Sequence, residues 1–193
     1  MEGNTLEHLS NKLTNYILEK KIIRDEDYAI YQYGFQCFLE LSISTLCSVI
    51  LALALHMVWE CLLFFLFFIP MRSFGGGIHL NSYFACLCSS CLILLSTLLA
   101  VKYLTVPCFV SFAIYFVCVI FLTLIGPVNH PNREIISEEN RIFMERTNRV
   151  LWISLLIASL FLVMNHTRYL FLEAVVFLFL CITSFLGKIK YCN

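Results

Sequence analysis

The sequence has no surplus of charge of either sign. Its 13 basic residues are matched by 13 acidic ones, so it lacks the positive field that would mark nucleic acid as a partner. It lacks a secretory signal as well: the first 34 residues are polar, and the first long apolar run begins only near Cys37. There is no internal repeat and no low-complexity segment. Proline is scarce, at 4 residues, and three of them, Pro70, Pro127 and Pro131, fall in polar intervals with Gly75–Gly77 and Asn165. These are chain breakers, and they divide the sequence into blocks.

What is present in excess is apolar surface. Hydrophobic residues make up 60% of the 193, and the mean hydropathy is +0.84, where soluble domains run at roughly 45–50% apolar. One small globular core cannot hide that much, so the chain reads as an all-α integral membrane protein. Apolar runs at Cys37–Leu55, Met57–Ile69, Tyr83–Val101, Val106–Ile125, Val150–Met164 and Tyr169–Leu186 predict six transmembrane helices. They form one polytopic domain over 1–193. Residues 1–34 form an N-terminal segment, 35–187 the six-helix region and 188–193 a tail. With both termini in the cytoplasm, eleven basic residues lie inside and only Lys102 and Arg168 outside, as the positive-inside bias requires.

The second run is too short. Its thirteen residues span about 20 Å, against a hydrocarbon core of roughly 30 Å. Either the helix runs on past Pro70, or the following glycine loop dips below the membrane surface and lines a recess. Ahead of the first span, Leu6, Leu9, Leu13 and Ile17 recur at helical spacing. They predict an amphipathic helix, lying on the inner membrane surface or on the protein's own cytoplasmic face. The stretch "ISEENRIFMERTNRV" predicts a solvated connecting helix, capped by Ser137, with Glu145 paired to Arg149.

Ten cysteines need not mean disulfides. Cys47, Cys61, Cys108, Cys118 and Cys181 lie inside apolar runs, where cysteine acts as a small buried hydrophobe. "CLCSSC" places Cys88 and Cys91 on one helix face, but no second ligand pair follows, so no metal and no cofactor are expected.

The polar interruption "RSFGGGIHLNSYFAC", Arg72 to Cys86, is the chemical anomaly. A thiol becomes nucleophilic when a base takes its proton, and histidine suits that role near neutral pH. In one continuous helix His79 and Cys86 stand about 10.5 Å apart along the axis, too far to hydrogen-bond. A break between them, at Asn81 or Ser82, puts Cys86 near a helix start, where the dipole favours a thiolate. Gly75, Gly76 and Gly77 can present successive N–H groups to an oxyanion, and Arg72 can hold a carboxylate or phosphate. Each feature also has a plain reading: a flexible turn, a positive-inside anchor, a structural histidine. His130 is a rival base.

Together these residues resemble the AgrB family, the membrane peptidases of bacterial peptide quorum sensing. The resemblance rests on the polar N-terminal tail, the six spans, the Arg-x-x-x-Gly-Gly-x-His stretch (Arg72, Gly76, Gly77, His79) and Cys86 seven residues beyond. Gln36 resembles a further polar position of the family. The resemblance implies that Cys86 is the nucleophile of a thiol protease and His79 its base. It implies an AgrD-like propeptide substrate, cleaved at its C-terminal tail through a thioester and closed to a thiolactone or lactone. It also implies a homodimer in the bacterial cell membrane. The competing reading is a non-enzymatic small transporter or membrane scaffold using Glu40, Glu60 and Glu173. Each of these stands near a span end, where a carboxylate can snorkel.

Overall fold

The computed structural model describes residues 5–76, 83–126 and 137–191. Those residues are helical almost throughout. Helix α1 covers Thr5–Glu19, and a short 3₁₀ turn at Asp25–Asp27 leads into α2, Tyr28–Leu55. Then come α3, Val58–Gly75; α4, Tyr83–Tyr103; α5, Cys108–Ile125; α6, Ser137–Val163; and α7, Thr167–Tyr191. Helices α2 to α7 are each long and apolar enough to cross a membrane. The chain is therefore a multi-pass membrane protein. It divides into two compact units, residues 1–51 and 52–193.

In the first unit, α1 forms where the leucine spacing predicts a helix. Its buried residues are Ser10 and Thr14, while Leu9 is exposed. Thr14 Oγ1 donates to the Ser10 carbonyl at 2.8 Å. Tyr28 at the start of α2 donates its hydroxyl proton to Asn15 Oδ1 at 2.9 Å. Helix α2 begins nine residues before the apolar run, because Tyr28 to Gln36 contain no breaker strong enough to stop it. The expected boundary at residue 35 therefore falls inside a helix.

In the second unit, α7 is the central element, packed on α3, α4, α5 and α6. Leu170, Leu172, Ala174, Val176 and Phe177 are sealed within it. Helices α3, α5 and α7 run in one direction. Tyr115 meets Phe177 at 4.8 Å, Phe121 meets Phe185 at 6.0 Å, and Lys188 Nζ donates to the Ile125 carbonyl at 2.8 Å. Phe67 of α3 meets the same Phe177 at 6.3 Å. The surface is apolar: Phe109, Leu124, Trp152, Leu156 and Val163 all point outward. In water that would be a fault; against lipid it is the expected exterior. Many hydroxyls on these spans satisfy themselves locally, as Ser96, Thr97 and Ser159 do on carbonyls one turn back. Cys61, Cys118 and Cys181 are buried free thiols, whereas Cys47 and Cys108 are half-buried.

Three helix ends share one geometry. After α1, α2 and α6 the chain turns through a left-handed residue, Lys21, His56 and Asn165. Paired backbone bonds close each turn, such as His56 N–H to Leu53 at 3.1 Å and Met57 N–H to Ala52 at 2.9 Å. This is the Schellman arrangement, without its usual glycine.

Three sequence expectations change here. Glu60 does not snorkel from its span end: it is buried and meets Arg168 Nη2 at 2.7 Å. Glu173 does not snorkel either. It is fully buried, and neither carboxylate oxygen has a hydrogen-bond partner, because it sits on the central helix with neighbours on every side. The predicted connecting helix is not separate but the opening of α6, and within it Glu145 pairs with Arg141 at 3.6 Å rather than with Arg149.

The Glu60–Arg168 pair ties the start of α3 to the start of α7. Removing one partner leaves a buried charge uncompensated, at a cost of about 3–5 kcal/mol in a closed site and less where Arg168 meets solvent. Arg168→Met should lower the thermal midpoint of the detergent-solubilised protein. The double variant Glu60→Gln/Arg168→Met should recover most of that loss. Additive losses would show that the two side chains do not interact.

Candidate active site

The glycine stretch owes its position to Pro70. Proline lacks the N–H that would bond the Leu66 carbonyl, and in a soluble helix it commonly ends the element. Here α3 continues through it to Gly75. A lipid-embedded helix that stopped early would leave backbone groups with no water to meet them. Its 18 residues reach about 27 Å, nearly the hydrocarbon thickness. The first of the two sequence alternatives is therefore the one realised: the helix runs on, and Gly76 caps its end.

That end is tightly specified. Gly76 caps α3 with φ 72° and ψ −146°, a region essentially closed to residues with a Cβ. Arg72 folds back along the last turn, and its Nη1 donates to the Gly76 carbonyl at 3.2 Å. A cation at a helix C-terminus also meets the negative end of the dipole. Gly75 is buried. A Cβ built there would stand 3.9 Å from Met71 Cε and 4.0 Å from Thr147 Cγ2, both ordinary contacts. Next to it, the Arg146 guanidinium lies 5.5 Å from the centre of the Phe74 ring.

Helix α4 starts at Tyr83, so a helix start separates positions 79 and 86 of the chain. Cys86 is the fourth residue of α4, a half-buried free thiol. Its carbonyl accepts from Ser89 Oγ at 2.9 Å. Gly77, His79, Asn81 and Ser82 lie outside the described residues, as do His130 and Arg133. Gln36, in the first unit, donates from Nε2 to Glu40 Oε1 at 3.1 Å, one turn further along α2. Cys88 is exposed and Cys91 half-buried, and no cluster of metal-ligating side chains occurs among the described residues.

Sequence reasoning missed the contribution of α6. Thr147, Leu151, Ser154 and Ala158 form its buried stripe. That spacing crosses from the charged part of the helix into the apolar part without a break, and it was the available signal. Near the end of α5 and on α6, a cleft of ≈ 330 Å³ is lined by Gly126, Thr147, Asn148 and Trp152 among others. The Thr147 hydroxyl is buried without a hydrogen-bond partner. Deeper in the bundle, Ser154 and Tyr115 share a 2.7 Å hydrogen bond between α6 and α5.

Gly75 and Gly76, the two described glycines of this stretch, should respond differently to a side chain. Gly76→Ala forces a strained backbone and should destabilise by about 1–3 kcal/mol. Gly75→Ala meets only van der Waals contacts and should change stability by less than about 0.5 kcal/mol, as for a benign substitution. Thermal unfolding in detergent measures both; equal losses would mean that the turn at Gly76 is not held.

No curated protein and no solved structure matches the chain. A family does. The AgrB family, accessory gene regulator B, matches residues 10–186. That match takes in α2 to α6, most of α7 and both sides of the glycine turn. With six apolar helices and a glycine-capped helix end ahead of Cys86, the chain belongs to the AgrB family.

Proposed function

We propose that the protein is a membrane cysteine endopeptidase that cleaves the C-terminal tail of an AgrD-like propeptide and closes the remaining core into a cyclic quorum-sensing peptide. The observation that carries this reading is family membership across residues 10–186. The start of α4 at Tyr83 supports it further. Cys86 is the fourth residue of that helix, and no single helix forces the His79–Cys86 pair apart.

In this mechanism His79 takes the proton from Cys86 Sγ. The thiolate attacks the carbonyl at the junction of core and tail, and donors of the glycine turn face the oxyanion. The C–N bond breaks, and the tail's new amine leaves with the proton from His79. The core is now a thioester on Cys86. A cysteine thiol within the core gives its proton to His79 and attacks the thioester, the ring closes as a thiolactone, and Cys86 leaves as a thiolate that takes the proton back from His79. Exchange of one thioester for another is close to neutral in energy, whereas forming a thioester from an amide is uphill. Capture on the enzyme therefore keeps the carbonyl activated for closure, at the high effective concentration of an intramolecular nucleophile.

The charge distribution supports a sidedness: both termini, the glycine turn and Cys86 face the cytoplasm. Helix α1, with Leu9 exposed, then lies along the inner membrane surface as an amphipathic segment. The proposed working form is a homodimer, as the family resemblance implies.

Cys86→Ala and His79→Ala should each abolish propeptide cleavage while membrane insertion is kept. With wild-type enzyme and a propeptide whose core cysteine is alanine, the acyl-enzyme should accumulate. It should appear as protein plus the peptide's N-terminal part, released by hydroxylamine at neutral pH. Tail release by Cys86→Ala would remove the nucleophile. Tail release by wild-type enzyme without an adduct would make the reaction a direct hydrolysis.

One observation favours the second reading, a small transporter: Glu173 is an unpartnered carboxyl deep in the second unit. Intramembrane carboxyls of this kind often serve ion or solute pathways. Glu173→Gln separates the two readings. A peptidase should keep its propeptide cleavage, assayed in proteoliposomes, whereas a transporter built on Glu173 should lose flux.

A further inference from the structure

We propose that Arg146 is a positioning residue of the proposed peptidase: stacked on Phe74, it holds the last turn of α3 against α6 and so sets the glycine turn that leads to His79. The inference rests on the peptidase reading for its catalytic readout. Its structural readout stands without that reading.

The contacts are paired residue for residue. Arg146 lies over the Phe74 ring at 5.5 Å, and the next residue, Thr147, brings its methyl to 4.0 Å from the Cβ position of Gly75. Two consecutive residues of α6 thus lie beside two consecutive residues of α3, and this is the proposed grip. Beyond them stands Gly76, whose φ of 72° and ψ of −146° make it the pivot of the exit path. The grip matters because α3 is weakened just upstream, where Pro70 has no N–H to give. The Arg72 bond to the Gly76 carbonyl fastens the turn from within its own helix, and Arg146 and Thr147 fasten it from outside.

In sequence, Arg133, Arg141 and Arg146 also read as a basic surface for an acidic propeptide tail. The geometry divides that set. Arg141 runs along α6 to Glu145 at 3.6 Å, Arg146 turns to Phe74, and Arg133 lies outside the described residues. A tail-docking cation acts on substrate binding. A brace acts on the placement of catalytic groups and therefore on kcat.

The experiment is a double-mutant cycle of Arg146→Gln and Phe74→Leu in proteoliposomes supplied with the propeptide. Each single variant should lower kcat about two- to fivefold, the range of an exposed cation–π contact, with KM unchanged. The double variant should be no worse than either single one. Arg146→Lys, which keeps the charge but not the planar stack, should recover part of the rate. In the absence of substrate, hydrogen exchange at residues 74–76 should quicken in both single variants and no further in the double. A raised KM at constant kcat, additive losses or unchanged exchange would each overturn the brace. Cleavage by Cys86→Ala would instead sink the peptidase reading, and the exchange measurement would still decide the contact.

Discussion

In a bilayer core no water is available to a backbone amide, and this single constraint governs the site as much as the spans. It keeps α3 helical through Pro70, although proline removes a hydrogen bond there. Had the helix ended at Ile69, the glycine stretch would have lain at membrane depth and needed a protein-lined recess. Because α3 persists to Gly75, Gly76 becomes the cap of a helix that nearly spans the membrane. The backbone freedom of Gly76 is used once, to turn the chain out of that helix.

The same solvent explains which parts of the structure could be read from the sequence. Span positions were legible because long apolar runs have few other fates, and all six predicted runs lie almost wholly within the observed helices α2 to α7. Helix ends were less so. Tyr28 to Gln36 joined the first span, and the charged stretch before Val150 joined the fifth, because a helix once nucleated by lipid propagates outward until a breaker stops it. Periodicity cannot show that stopping point when the flanking residues are good helix formers. Individual partners were least legible. Glu145 has an arginine four residues away on either side, and spacing alone cannot choose between Arg141 and Arg149.

The carboxylates illustrate the limit in another way. Glu60 and Glu173 look alike in sequence, each a few residues inside a span. Their fates differ because α3 and α7 differ in place. Glu60 lies within reach of Arg168, whereas Glu173 lies on the helix that every other packed span touches. Which helix is central depends on contacts between distant segments, and no local pattern encodes that. For the candidate site the outcome was mixed. Arg72, Gly75, Gly76 and Cys86 were legible as a motif. The bracing residues of α6 were not, since nothing in "MERTNRV" announces that its Arg and Thr fall against the end of α3.

The packing of α5 on α7 carries one more consequence. Tyr115 and Phe177 meet ring to ring, and the two helices run parallel, so the residues one turn earlier stand level with each other. Those residues are Ser111 and Glu173. Both are fully buried, and both leave polar atoms without a partner. Each such atom forfeits about 1–3 kcal/mol of solvation. A leucine and an alanine there would pack the same interface without that loss. The bundle therefore carries a local deficit at one level of its most closely packed helix pair. It is offset by the aromatic contacts and the Tyr115–Ser154 hydrogen bond on the next turn. That level of α7 is also its most tightly enclosed, since Leu170, Leu172, Ala174 and Val176 around Glu173 are all fully buried. The Glu60–Arg168 pair stands beyond that level, at the helix starts, where it ties α3 to α7.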